Sequence, residues 1–230
     1  MKQALLLCPV LLLLAAGLQA QEEATPTPRP PTWYAQALAR GDAGLNVTHF
    51  WSKGTAMRAE TVVAGHKIVT IVNGPTYYAW DPTTGEGIAI GRDATALARD
   101  RTDRRPFGNE YEQLLALGAE LVREEQEHGR KVGVYRLTDD FGRRELQVTL
   151  DDLRLPLRLE IYNRATTRLS AIDYINWQRG LPIEDAFFTP DPRMELETLD
   201  YATYARRTAT EGAVGPVPVL YGQLLSVQEE

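Results

Sequence analysis

From residue 120 onward, apolar and polar side chains alternate with the period of a β-strand. Leu146, Val148 and Leu150 fall on one side of their segment, and Glu145, Gln147 and Thr149 on the other. Leu157, Leu159 and Ile161 alternate with Arg158, Glu160 and Tyr162 in the same way. One face of such a sheet is dry and the other wet. The pattern predicts strands over 120–127, 131–138, 143–150, 157–164 and 168–178, broken at His128-Gly129-Arg130, Asp140-Phe141-Gly142 and the 163–167 loop. Upstream, 45–52, 56–63, 67–72, 76–80 and 87–91 read as a meander. Its turns are Lys53-Gly54-Thr55, Ala64-Gly65, Asn73-Gly74-Pro75 and the 81–85 segment.

Between these two sets the period changes. Ala94, Leu97 and Ala98 within 93–104, and Tyr111, Leu114 and Leu115 within 109–117, recur at spacings of three and four. This predicts two helices separated by Pro106-Phe107-Gly108. A short helix is also expected over 33–40, with Thr32 as its cap and Gly41 as its stop. The fold class is therefore α+β, mainly β. About ten short antiparallel strands with one apolar face twist and curl into an incomplete barrel. The two central helices have no other surface on which to bury their stripe, so they pack on the concave face of this strongly curved sheet.

The ends of the chain have a different character. Lys2, an apolar run over 4–18 and Leu-Gln-Ala before residue 21 read as a signal peptide over 1–20, which places the mature protein in the periplasm. No later stretch is apolar enough to span a bilayer once that segment is cleaved. Cys8, the one cysteine, lies inside the signal segment, so the mature chain has no disulfide and no thiolate metal ligand. Residues 21–31 are proline-rich and polar and form a tether, 32–192 form one domain, and 193–230 are a C-terminal extension. In the extension, 196–207 suits a helix. The run 214–221 is broken by prolines; it is either a loose tail or a segment docked on an edge strand.

Charge and motifs narrow the function. Of 25 Lys and Arg, Lys2 leaves with the signal, so 24 basic residues stand against 31 acidic ones. An acidic chain with interspersed signs is a poor nucleic-acid binder. The basic run from Arg99 to Arg105 is interrupted by Asp100 and Asp103 and reads as a solvated face. His49, His66 and His128 are the only histidines, and none stands in a His-Glu-x-x-His or nucleophile-elbow pattern. The acid pairs Asp139-Asp140 and Asp151-Asp152 flank turns, where aspartate bonds its local backbone. No catalytic residue, metal or cofactor is expected, and the protein reads as a non-enzyme.

Four motifs in order carry a family resemblance. They are Trp51-Ser52-Lys53-Gly54-Thr55-Ala56-Met57-Arg58, then Gly65-x-x-Ile68-Val69-x-Ile71-x-Asn73-Gly74 with Tyr77-Tyr78, then Leu155-Pro156-Leu157-Arg158, and Phe187-Phe188-Thr189-Pro190. Across 33–192 the chain resembles the LolA/LolB-type outer-membrane lipoprotein-sorting superfamily. The resemblance implies an incomplete barrel lined with apolar side chains under a helical lid, holding acyl chains of lipid or lipoprotein between membrane-associated donor and acceptor proteins. In that family an arginine at the place of Arg58 holds the lid shut, which makes Arg58 the candidate lid contact. Candidate cavity residues are Val47, Trp51, Met57, Ile68, Tyr78, Trp80, Ile90, Leu146, Val148, Leu159, Ile161, Tyr174 and Trp177. Two departures stand out: a short helix ahead of the first strand, and the added residues 193–230. The other class these features fit is an envelope sensor or scaffold, binding a protein partner through a sheet edge or the tail.

Overall fold

A computed structural model describes residues 30–41, 44–63, 65–100, 104–212 and 214–216. The signal segment, Cys8 and nearly all of the tether lie outside the described residues. One open, strongly curved sheet of twelve strands dominates, and it does not close into a barrel. The strands are β1 (Thr32–Gly41), β2 (Gly44–Lys53), β3 (Ala56–Val63), β4 (His66–Asn73), β5 (Thr76–Trp80), β6 (Gly87–Gly91), β7 (Glu120–Glu127), β8 (Arg130–Asp139), β9 (Gly142–Thr149), β10 (Pro156–Asn163), β11 (Arg168–Arg179) and β12 (Glu197–Leu199). Their order across the sheet is β12-β6-β5-β4-β3-β2-β1-β11-β10-β9-β8-β7. Each half is a meander of hairpins, and the halves join where β1 pairs with β11. The helices are α1 (Ala94–Ala98), α2 (Glu110–Ala116) and α3 (Tyr201–Glu211).

The helix expected over 33–40 is a strand. Its residues have good helix propensity, but β1 runs through the middle of the sheet and pairs antiparallel with β2 on one side and β11 on the other. Trp33, Ala35 and Ala37 are buried on one face, and ladder bonds to two neighbours outweigh the fraction of a kcal/mol per residue that propensity contributes. The helix expected over 196–207 starts later. Glu197–Leu199 instead adds a parallel strand to the edge of β6, and Asp200 caps α3 by accepting from the Thr203 N–H at 2.7 Å. Of the run 214–221, only 214–216 lie among the described residues.

Hairpin register fixes which residues share a face. The two-residue turn Gly54-Thr55 pairs Lys53 with Ala56, so Ser52 stands opposite Met57 and Trp51 opposite Arg58. Met57, Ala59, Val72, Tyr77, Ala79, Ile88 and Ile90 face the concave side in one buried cluster with Trp33, Phe50 and Phe107. Leu146, Val148 and Leu159 continue that side in the other half, under Leu114 of α2.

After β11 the chain straps the outer face. Lys53 Nζ donates to the Ile183 carbonyl at 2.9 Å, and Asn73 Nδ2 to the Phe188 carbonyl at 3.0 Å. Met194 and Leu196 then cover Val69, Ile71 and Trp80. Past β12 the chain rounds the sheet edge and lays α3 on the concave side, where Leu199, Tyr204 and Val214 join the main cluster.

Candidate functional site

The concave face is an apolar floor under a thin cover. Met57, Ile90, Leu146 and Val148 are 0% exposed, and Leu159 and Tyr174 are also buried. Ile161 and Trp177 are partly buried and pack against the same surface. Strand alternation puts Ile68 on this face as well, beside Thr70 and Val72.

Val47, Trp51, Tyr78 and Trp80 stand on the opposite face, because their neighbours in β2 and β5 take the concave positions. Trp51 meets the ring of Phe187 edge-on at 5.4 Å, and Trp80 lies under Met194 and Leu196. The thirteen apolar candidates thus separate into a concave group and an outer group, of which Trp51 and Trp80 hold the strap.

Arg58 belongs to the outer group. It donates to the Phe187 carbonyl at 3.2 Å and to Glu60 at 3.0 and 2.7 Å, and its guanidinium lies 4.6 Å from the centre of the Phe187 ring. It therefore clamps the 3-10 turn Asp185–Phe188 rather than α1 or α2.

The arginine that holds the concave cover is Arg105, and it is not solvated. It donates to the carbonyls of Gly108 at 2.8 Å and Leu153 at 3.3 Å. Its guanidinium lies 5.3 Å from the centre of the Trp33 ring and 5.1 Å from that of Trp177. Burial holds it below the usual arginine range. It pins Phe107, which stacks on Phe50 at 5.1 Å and on Trp177 at 5.7 Å and fills the middle of the concave face. Gly108 lets this happen: with φ +65, a Cβ there would come within 2.6 Å of the Trp177 ring. Pro106-Phe107-Gly108 reads in sequence only as a break between helices, and no local signal marks its phenylalanine as the plug. Buried Arg92, joined to half-buried Asp100 by two 2.8 Å hydrogen bonds, ties down α1 in the same segment.

Beneath α2 the Glu110 carboxyl is buried and accepts from the Tyr174 hydroxyl at 2.5 Å, while its second oxygen has no protein partner. Burial pushes its pKa up. A carboxyl raised on folding holds more protons in the native state between its unfolded and folded pKa values, so stability falls as pH rises through that window. Glu110→Gln removes the charge but keeps an oxygen for Tyr174. It is expected to raise Tm at neutral pH and to lose that gain as pH drops below the ordinary glutamate range. Thermal scans at the two pH values check this, and an equal shift at both would exclude the titration.

The remaining polar candidates serve the fold. Asp139 Oδ1 accepts from the N–H groups of Phe141 and Gly142, and Asp151 Oδ1 from those of Leu153 and Arg154. His49 lies within hydrogen-bond distance of Tyr34, and His66 of Asp81, while His128 is exposed in its turn. Among the described residues, no three His, Cys, Asp or Glu side chains converge as metal ligands, and no helix is long and apolar enough to cross a membrane.

No family model and no curated relative matches the chain. Among solved structures it is similar to an uncharacterized conserved protein from Thermus thermophilus, at 12% identity over 74% of this chain and 90% of that one, with a TM-score of 0.52. The two share a fold. The neighbours also include a chain of the Pseudomonas aeruginosa MucA/MucB complex, at 17% identity, 73% and 58% coverage and a TM-score of 0.45. A domain named for outer-membrane lipoprotein sorting, from Vibrio parahaemolyticus, matches at 11% identity, 70% and 89% coverage and a TM-score of 0.33.

Proposed function

We propose that the protein is a non-enzymatic, periplasmic binding protein that shelters acyl chains of lipid or lipoprotein against its concave face, with the helical cover displaced. One observation carries this reading: a largely apolar floor, interrupted by Ser52, Thr61 and Thr70, is covered by helices that each fully bury a single side chain. Those side chains are Ala96 of α1, Leu114 of α2 and Tyr204 of α3. Lifting a buried Leu or Phe off the floor costs about 1.5–3 kcal/mol, and each methylene that replaces it gains about 0.8 kcal/mol. About two to four methylenes therefore offset each displaced side chain, and a long acyl chain has methylenes to spare.

Organic extraction of purified protein followed by mass spectrometry tests this. Stoichiometric acyl species are expected, and they should be lost when Met57 and Leu146 are replaced by glutamine. Protein free of acyl species, which also fails to take up a fluorescent fatty acid, would overturn it.

A second reading, a sensor or scaffold that recruits a protein partner, is favoured by one feature. β7 is exposed along its whole length and, among the described residues, pairs with β8 alone, whereas the opposite edge strand β12 is three residues long. An open edge accepts an added strand. A protein that is lipid-free yet binds a partner lost on Glu124→Pro would establish that alternative.

A further inference from the structure

We infer that the cleft beside the α1–α2 cover is a binding site for a phosphate-bearing headgroup, an inference that deepens the acyl-binding reading and rests on it for the lipid source. Two adjoining clefts, of about 370 and 220 Å3, share Arg104, Arg105, Asn109 and Glu112. The smaller one is completed by Trp33 and Arg179. The chain as a whole is acidic, so this concentration of guanidinium groups is local.

Arg105 and Arg179 both lie 5.3 Å from the centre of the Trp33 ring, so two guanidinium groups stand against one indole that lines the smaller cleft. Among the described residues neither Arg104 nor Arg179 forms an ion pair with a carboxylate, and both are exposed. Two unpaired guanidinium groups at the rim of a cleft match the planar, bidentate recognition of phosphate oxygens.

The floor of the cleft carries the second half of the argument. Arg105 Nε and Glu112 Oε2 are buried and have no hydrogen-bond partner in the protein. Buried polar atoms without partners are rare in folded proteins and mark a missing water or ligand group. Arg105 Nε offers a donor to a phosphate oxygen, and Glu112 an acceptor to a hydroxyl of the same headgroup. Asp152 also lines the cleft and selects against a bare dianion with no such donor. The cleft lies beside the loop that delivers Phe107, so a chain entering where Phe107 now packs would leave its headgroup here.

Titration calorimetry with decanoyl lysophosphatidic acid, decanoylglycerol and inorganic phosphate tests the site on the full mature chain. The lysophosphatidic acid is expected to bind about tenfold tighter than decanoylglycerol, and added salt should narrow the gap. The double variant Arg104→Gln, Arg179→Gln alters only exposed side chains; it should erase that preference while decanoylglycerol binds as before, with an unchanged thermal melt. Inorganic phosphate bound by the wild type and lost in the variant, with no binding of decanoylglycerol, would keep the anion site, assign it to a free anion and defeat the acyl reading. Equal affinities of wild type and variant for the lysophosphatidic acid would overturn the site and leave the acyl reading standing.

Discussion

Deleting residues 193–230 is expected to abolish cooperative folding of the remainder in water. The deletion uncovers the β6 edge that β12 pairs with and takes Met194 and Leu196 off Trp80, Val69 and Ile71. On the concave side it takes Leu199, Tyr204 and Val214 out of the main cluster. Five apolar side chains at about 1.5–3 kcal/mol each sum to about 7–15 kcal/mol, which is the whole stability of an ordinary domain. Urea unfolding followed by circular dichroism measures it. A truncated chain with a sharp transition, within about 2 kcal/mol of the full-length value, would show the extension to be a passenger.

On the proposed acyl-binding reading, the same contacts set the extension against the cargo. α3 crosses the concave floor close to Tyr77, Ile88 and Ile90, where an acyl chain would lie. It occupies the floor that the proposed acyl cargo would take. Acyl binding and the seating of α3 therefore compete, and lipid should lower the protection of α3 amides from exchange while leaving β2–β4 unchanged.

Most strands could be read from the sequence because alternation and glycine turns are local signals. Ala56–Val63, Thr76–Trp80, Gly87–Gly91 and Glu120–Glu127 match the pattern residue for residue, and the other strands of the two meanders shift by one residue at their ends. β1 was not, because Ala35, Ala37 and Ala39 satisfy helical and extended patterns alike, and its two neighbours come from opposite ends of the domain. β12 is three residues long and parallel, and such a strand leaves no period to detect.

The site was half legible for a related reason. Apolar strand residues mark a floor, but parity between hairpins decides which floor. The sequence marks the turn at Lys53-Gly54-Thr55, and it is the pairing of Lys53 with Ala56, leaving a two-residue turn, that sends Trp51 to the strap and Met57 to the concave face. Arg58 followed Trp51, and the clamp on the helical cover fell to Arg105, inside a run whose interspersed aspartates suggested solvent. Nothing local distinguishes a buried arginine held between two distant tryptophans from an exposed one.

Gly142→Ala is expected to cost about 3–5 kcal/mol, through a contact that sequence alone does not show. Gly142 has φ +148 and opens β9 directly against β10, where an added Cβ would lie 1.9 Å from the Tyr162 carbonyl oxygen. That neighbour is backbone inside a ladder, since Gly142 pairs with Asn163 and the Arg164 N–H bonds the Phe141 carbonyl at 2.9 Å. Neither strand can move away without losing those bonds. Gly129 in the preceding hairpin provides the control: it also has positive φ, +78, but nothing lies within 4 Å of its Cβ position, so Gly129→Ala should cost only about 1–2 kcal/mol. Thermal melts of the two variants separate steric exclusion from backbone strain, and equal losses would remove the steric account. The consequence reaches the site, because β9 and β10 carry Leu146, Val148 and Leu159. A slip of β9 by one residue against β10 to relieve the clash would turn Leu146 and Val148 outward and bring Glu145 and Gln147 onto the floor, so any folded fraction of Gly142→Ala should fail to hold an acyl chain.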